Sequence, residues 1–176
     1  ILLIGGYGKM TPLFQAGQIA QIKATGEIVD NCQKRPQSLF DEQSLGIDEC
    51  AGYLAECVRL LQQRNADVRV VVTVSPIRYR KYGYHGSRLS KATLLLAADK
   101  LAGMFPDVVS YFPAYEIVMD ELRDYRFYDS DMVHPSPVAV DYIWEKFRDA
   151  YFTPEQTESM KESLKEWKRS QHRPLH

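Results

Sequence analysis

An α/β fold, with a parallel sheet covered by helices on both faces, is the architecture this sequence predicts. Three short apolar runs, at residues 1–4, 68–74 and 108–112, have the character of strands buried on both faces. Stretches with helical spacing and recognisable start signals lie between and after the later runs. Strands alternating with helices of that length place the chain in the α/β class.

Taken in order, Ile1-Leu2-Leu3-Ile4 runs into Gly5-Gly6, a buried strand already in progress that ends in a tight loop. Domains rarely begin inside a core strand, so preceding sequence is expected. Between residues 18 and 31, Ala24-Thr25-Gly26 separates two half-apolar stretches and predicts a surface hairpin. Over residues 45–64, Ile47, Ala51, Leu54, Val58 and Leu61 form a helical stripe that Ser44 can cap and Asn65 can end. The β-branched run at 68–74 is the next strand, and Ser90 is expected to cap a second helix reaching about Ala102. A third strand at 108–112 stops at Pro113, and Ser136-Pro137 opens a third helix through Tyr151. Thr153-Pro154-Glu155-Gln156 is a capping box that starts a last, mostly charged helix, expected to fray near Arg173-Pro174. Its Met160, Leu164 and Trp167 are available to pack one edge. The organisation expected is one core domain over residues 1–152 and a charged helical tail over 153–176.

Composition narrows the function classes. A chain of 176 residues with 45% hydrophobic content, 26% charged content and a net charge of -1 reads as soluble and globular, with no bulk charge for coating nucleic acid. No apolar run approaches the roughly 18–20 residues of a membrane span. The three cysteines are scattered, without a CxxC pair or a Cys/His cluster, so neither a disulfide framework nor a metal site is expected, and no cofactor is implied. A reducing, cytoplasmic compartment fits that cysteine usage.

Open α/β sheets bind ligands outside the carboxyl ends of their strands. Three segments qualify: Gly5-Gly6-Tyr7-Gly8, then Ser75-Pro76-Ile77-Arg78 with the loop to Arg88, then the stretch from Pro113 to the turn at residues 131–135. The last holds Asp131-Met132-Val133-His134. A separation of three residues in a turn lets the carboxylate reach Nδ1 of the imidazole and fix its tautomer, leaving Nε2 to accept a proton from a nucleophile. In a chain with four histidines such a spacing arises readily by chance, and the plain alternative is a turn-forming aspartate beside a histidine that leads into a helix.

The surrounding residues carry more. Tyr111-Phe112-Pro113-Ala114-Tyr115-Glu116-Ile117, Asp124-Tyr125-Arg126-Phe127-Tyr128 and Asp131-Met132-Val133-His134-Pro135-Ser136 together resemble the C-terminal signature of GSCFA-domain proteins. Upstream, Val29-Asp30-Asn31-Cys32-Gln33-Lys34-Arg35-Pro36, Thr73-Val74-Ser75-Pro76-Ile77-Arg78 and Ser90-Lys91-Ala92 are similar to further segments of that family in the same order. Those proteins are grouped with the SGNH/GDSL hydrolases. The resemblance implies a three-layer α/β/α, flavodoxin-like fold with a parallel sheet, its N-terminal strands missing here, and a serine esterase acting on small-molecule or carbohydrate esters. Asp131 and His134 are then the acid and base of a Ser-His-Asp triad, and the serine belongs to an N-terminal block with no counterpart in residues 1–176. If the group's strand order applies, loss of the first two strands bares one edge of the third, and the isolated chain is expected to be marginal.

Other candidates are weaker in chemistry. Gly5 matches a glycine of the SGNH group's third block, while Tyr7 stands where an asparagine is expected. The amide of Asn31 can donate to a developing oxyanion or simply close the hairpin. Cys32 beside it is a possible alternative nucleophile for His134, with nothing local to lower its thiol pKa. Ser75 follows a strand but matches a downstream family segment. Arg78 opens a basic and aromatic segment through Arg88 that can meet an anionic or sugar-containing substrate, or be a solvated flexible loop. Cys50 and Cys57 read as core residues, Trp144 and Phe147 as packing residues, and Glu116 and Asp120 as ion-pair partners of Arg123 and Arg126. A catalytically silent binding or scaffolding module on the same fold is the competing function.

Overall fold

In the computed structural model, which describes residues 2–4, 18–26, 28–29 and 36–171, the first apolar run forms β1 (Leu2–Ile4). An antiparallel excursion follows, in which β2 (Gln18–Ile22) pairs with β3 (Ile28–Val29) and with β4 (Phe40–Ser44). The hairpin turn falls where the sequence places it. Gly26 takes φ +72° there and its amide bonds back to the Ile22 carbonyl at 2.8 Å, a conformation open to glycine without strain. The strand β4 is not announced by an apolar pattern, because only Phe40 of its five residues is buried.

That strand corrects one expected cap. Ser44 pairs with Gln18 as the last residue of β4, so α1 (Ile47–Arg64) is capped instead from Gly46, whose amide donates to the Glu49 carboxylate at 2.8 Å. Asn65 ends the helix as expected. After β5 (Val70–Val72), a short turn at Arg80–Tyr82 leads into α2 (Gly83–Met104), which begins well ahead of the expected Ser90 cap. Gly83, at φ +66°, allows the earlier start by turning the chain where an L side chain is strained. Much of the segment expected as a loop is therefore helix.

Next come β6 (Val109–Tyr111) and a short helix α3 (Ala114–Glu116) that continues as a π-helical turn over Ile117–Leu122. The start of α4 (Pro137–Tyr151) matches expectation: Ser136 Oγ accepts the Ala139 amide at 3.3 Å and proline fills the first helical position. So does that of α5 (Pro154–Gln171), where the Thr153 amide donates to Gln156 Oε1 at 2.9 Å and the Gln156 amide returns to Thr153 Oγ1 at 3.3 Å. Leu164 and Trp167 are exposed rather than packed against an edge. Arg173-Pro174 lies outside the described residues.

The chain is a mixed α/β protein whose described residues form two small sheets, one of which is parallel and ordered β1-β5-β6. Its middle strand explains the continuous apolar run. Val70 and Val72 pack with Leu54, Ala55 and Val58 of α1, and with Ala98 and Leu101 of α2. Val71 faces the other way, into Phe112, Ala114, Ile117 and Phe147 of α4. A strand covered on both faces has no polar side to display. Phe112 and Phe147 meet edge to face with centroids 5.1 Å apart, the kind of aromatic pair that adds to area burial. Among the described residues no helix is long and apolar enough to cross a membrane.

Leu101 is fully buried at the centre of the α1, α2 and β5 cluster. Leu101→Ala should destabilise the protein by about 2–5 kcal/mol, measured by urea unfolding; a loss below about 1 kcal/mol would mean that this cluster is not a close-packed core.

Candidate active site

The segments leaving β5 and β6 meet at one end of the parallel sheet. Residues 129–134 form a closed turn: the Asp129 amide donates to the His134 carbonyl at 2.8 Å, and the Met132 amide to the Asp129 carbonyl at 2.8 Å. Just outside it, Tyr128 bridges Pro135 and the Ser136 amide donates to the Phe127 carbonyl at 2.8 Å. Met132 sits at φ +58°, left-handed backbone that is unfavourable for a non-glycine residue. Strain of this kind persists only where surrounding contacts over-determine it, and it concentrates at functional sites.

Asp131 organises the turn from within. Its Oδ1 accepts the backbone amides of Val133 at 2.8 Å and His134 at 2.9 Å, while Oδ2 meets His134 Nδ1 at 2.5 Å. Three donors on one carboxylate favour its charged form. The His134 amide foremost, then the His134 ring and the Val133 amide, hold the Asp131 pKa down to about 2. The carboxylate therefore remains an anion at any pH well above that value, able to orient the ring and to stabilise it when protonated.

The chain leaving β5 clamps the turn from outside. The Arg78 amide donates to the Val133 carbonyl at 3.1 Å, the Arg78 guanidinium to the Met132 carbonyl at 3.3 Å, and Arg80 Nη2 to the Asp131 carbonyl at 2.5 Å. Arg78 is itself enclosed by three tyrosine rings, with centroids 5.5 Å away at Tyr84, 5.7 Å at Tyr125 and 5.4 Å at Tyr128, within cation–π range. Beside the turn lies a cavity of about 1000 Å³, lined among others by Arg78, Tyr84, Arg88, Lys91, Tyr115 and Tyr128. Met132 and Val133 contribute to its wall, but Asp131 and His134 do not. The pair sits on the flank of the cavity.

The structure thus unites Asp131, His134 and Arg78. Ser75 is a turn residue, with Oγ accepting the Ile77 amide at 3.3 Å and its carbonyl accepting Lys91 Nζ at 2.6 Å. Gly5, Asn31 and Cys32 lie outside the described residues. Among the described residues Glu116 accepts the Tyr111 hydroxyl at 2.8 Å and forms no ion pair with Arg123 or Arg126, and Arg126 pairs with Asp124. Cys50 is buried, as expected of a core residue, and burial raises its thiol pKa. Among the described residues no cluster of three or more His, Cys, Asp or Glu side chains is placed to hold a metal ion.

Lys91 is the residue that sequence reasoning passes over except as part of a motif. It is only 4% exposed and its ammonium lies 5.4 Å over the Tyr79 ring. The signal was available in its helical register, because Lys91 stands seven residues before the buried Ala98 and so shares its face of α2.

Comparison with known proteins adds one positive finding. The model of the GSCFA family matches residues 18–147. No curated protein and no solved structure matches the chain.

The hydrogen bonds at Asp131 make a pH-dependent statement. Its folded pKa lies below that of an unfolded aspartate, so its contribution to stability is complete above about pH 4 and is lost as the pH falls through about 2. Carbon-detected NMR of the Asp131 carboxyl should show a midpoint near 2, whereas a midpoint near 4 would mean that the three donors are not engaged in solution.

Proposed function

The chain belongs to the GSCFA family, and on that premise we propose that it supplies the Asp-His half of an SGNH-type serine esterase built on a three-layer α/β/α fold. The observation that carries this reading is the 2.5 Å contact between His134 Nδ1 and Asp131 Oδ2, made by a carboxylate already locked by two turn amides. A histidine held by Nδ1 is aimed for proton transfer at Nε2. The position of the turn supports it too, since it lies beyond the ends of parallel strands, where α/β enzymes place their chemistry.

In this mechanism a serine from the family's N-terminal block attacks the ester carbonyl, and its hydroxyl proton passes to His134 Nε2. Asp131 stabilises the resulting imidazolium without taking the proton. Collapse of the tetrahedral intermediate releases the alcohol, which leaves with the proton from Nε2, and water then repeats the cycle on the acyl-enzyme. Arg78 and Arg80 act as positioning residues because they bind carbonyls of the turn. The substrate class is a small-molecule or carbohydrate ester, and the chemistry calls for no metal.

Ester hydrolysis by the full-length protein, including the N-terminal block, tests the reading. His134→Ala should lower kcat/KM for a p-nitrophenyl ester by about 10³-fold or more. Equal rates in the parent protein and the variant would instead favour a catalytically silent binding module.

A further inference from the structure

Nothing in the proton-transfer chemistry uses the cavity beside the turn, yet that cavity gathers most of its charge with one sign. Among the described residues Arg78, Arg80, Arg88, Lys91 and Arg123 line it against the single carboxylate of Asp124, in a chain whose net charge is -1. Asp124 is already engaged, accepting the Arg126 amide at 2.9 Å and pairing with the Arg126 guanidinium at 3.3 Å. Among the described residues none of the five cations is paired with a carboxylate.

Lys91, which is buried, and Arg88, which is exposed, show what these cations have for partners instead. The buried Lys91 ammonium has the Ser75 carbonyl at 2.6 Å and the Tyr79 ring as its partners, and both are neutral. Taking an ammonium out of water without a counter-charge is unfavourable. Burial accordingly lowers its pKa to about 8. Arg88 donates to the Tyr115 hydroxyl and to Met119 Sδ, again neutral acceptors. An anion entering the cavity would give both cations the negative partner that no described residue supplies. Tyrosine faces at residues 84, 115, 125 and 128 line the same space and offer flat walls to the organic body that carries the charge.

We propose that this cavity is a binding subsite for an anionic group, a carboxylate or a phosphoryl group, carried by the substrate on a ring that packs against the tyrosines. The inference deepens the esterase reading by making the substrate an ester of a negatively charged molecule. Lys91 and Arg88 are the specificity residues and take no part in proton transfer.

Binding of benzoate, phenyl phosphate and uncharged benzyl alcohol, measured by calorimetry on the purified protein, tests this directly. At least one anion should bind about tenfold or more tighter than benzyl alcohol, and Arg88→Gln and Lys91→Gln should each weaken that anion by about tenfold or more. Preference for benzoate assigns the site to carboxylates and preference for phenyl phosphate to phosphoryl groups. Arg88→Lys should restore part of the affinity, and Lys100→Ala, which breaks a pair with Asp48 outside the cavity, should change nothing. Equal binding of charged and uncharged probes, absence of anion binding, or unchanged affinity in folded Arg88→Gln would overturn the proposal. If Lys91→Gln fails to fold, exposed Arg88 carries the test alone. Because binding is read without turnover, an inactive protein that still selects anions through Arg88 removes the esterase reading and keeps the subsite. An active esterase indifferent to charge does the reverse.

Discussion

Val70, Val71 and Val72 are buried on alternate faces of the middle strand, two against α1 and α2 and one against the aromatic cluster around α4. A strand fixed from both sides delivers the next residues to a defined place. Those residues include Ser75, which holds Lys91, and Arg78, which binds the turn through its backbone and its guanidinium. Moving the strand by one residue would exchange its two apolar faces and carry the clamp away from the turn. The geometry of Asp131 and His134 thus depends on aliphatic packing that touches neither of them.

Two kinds of restraint act on that turn. Inside it, the Asp131 carboxylate replaces missing backbone partners and fixes the imidazole; outside it, Arg78 and Arg80 occupy its carbonyls. Together they support the left-handed backbone at Met132. The arginines also place positive charge at the boundary between the turn and the cavity. In the proposed function that arrangement separates two tasks: Asp131 and His134 handle a proton, while the cavity meets the charge and bulk of a ligand.

The parallel strands were legible because β-branched runs without polar alternation have few other uses, and α4 and α5 because their caps are local chemistry. Where a cap competed with a strand, local reading failed: Ser44 is consumed by pairing with β2, and Gly83 starts α2 ahead of Ser90. At the site, Asp131 and His134 could be read from spacing and from the family signature around them. The tyrosine enclosure could not, since Arg78, Tyr84, Tyr125 and Tyr128 come from segments separated in the chain and meet only through the packing of β5, α2 and the turn. Lys91 was hidden for another reason. A lysine is expected on a solvated face, and only its register with Ala98 marks it as buried.

Membership of the GSCFA family accounts for the sequence signature, and the three-donor carboxylate gives that signature a physical role. The most direct measurement of that role is the tautomer of His134, read from its ring ¹⁵N shifts at a pH where the imidazole is neutral. The account predicts a proton on Nδ1, shared with Asp131, and a lone pair on Nε2, with this preference lost in Asp131→Ala. A neutral ring protonated at Nε2, or a tautomer indifferent to Asp131, would contradict it.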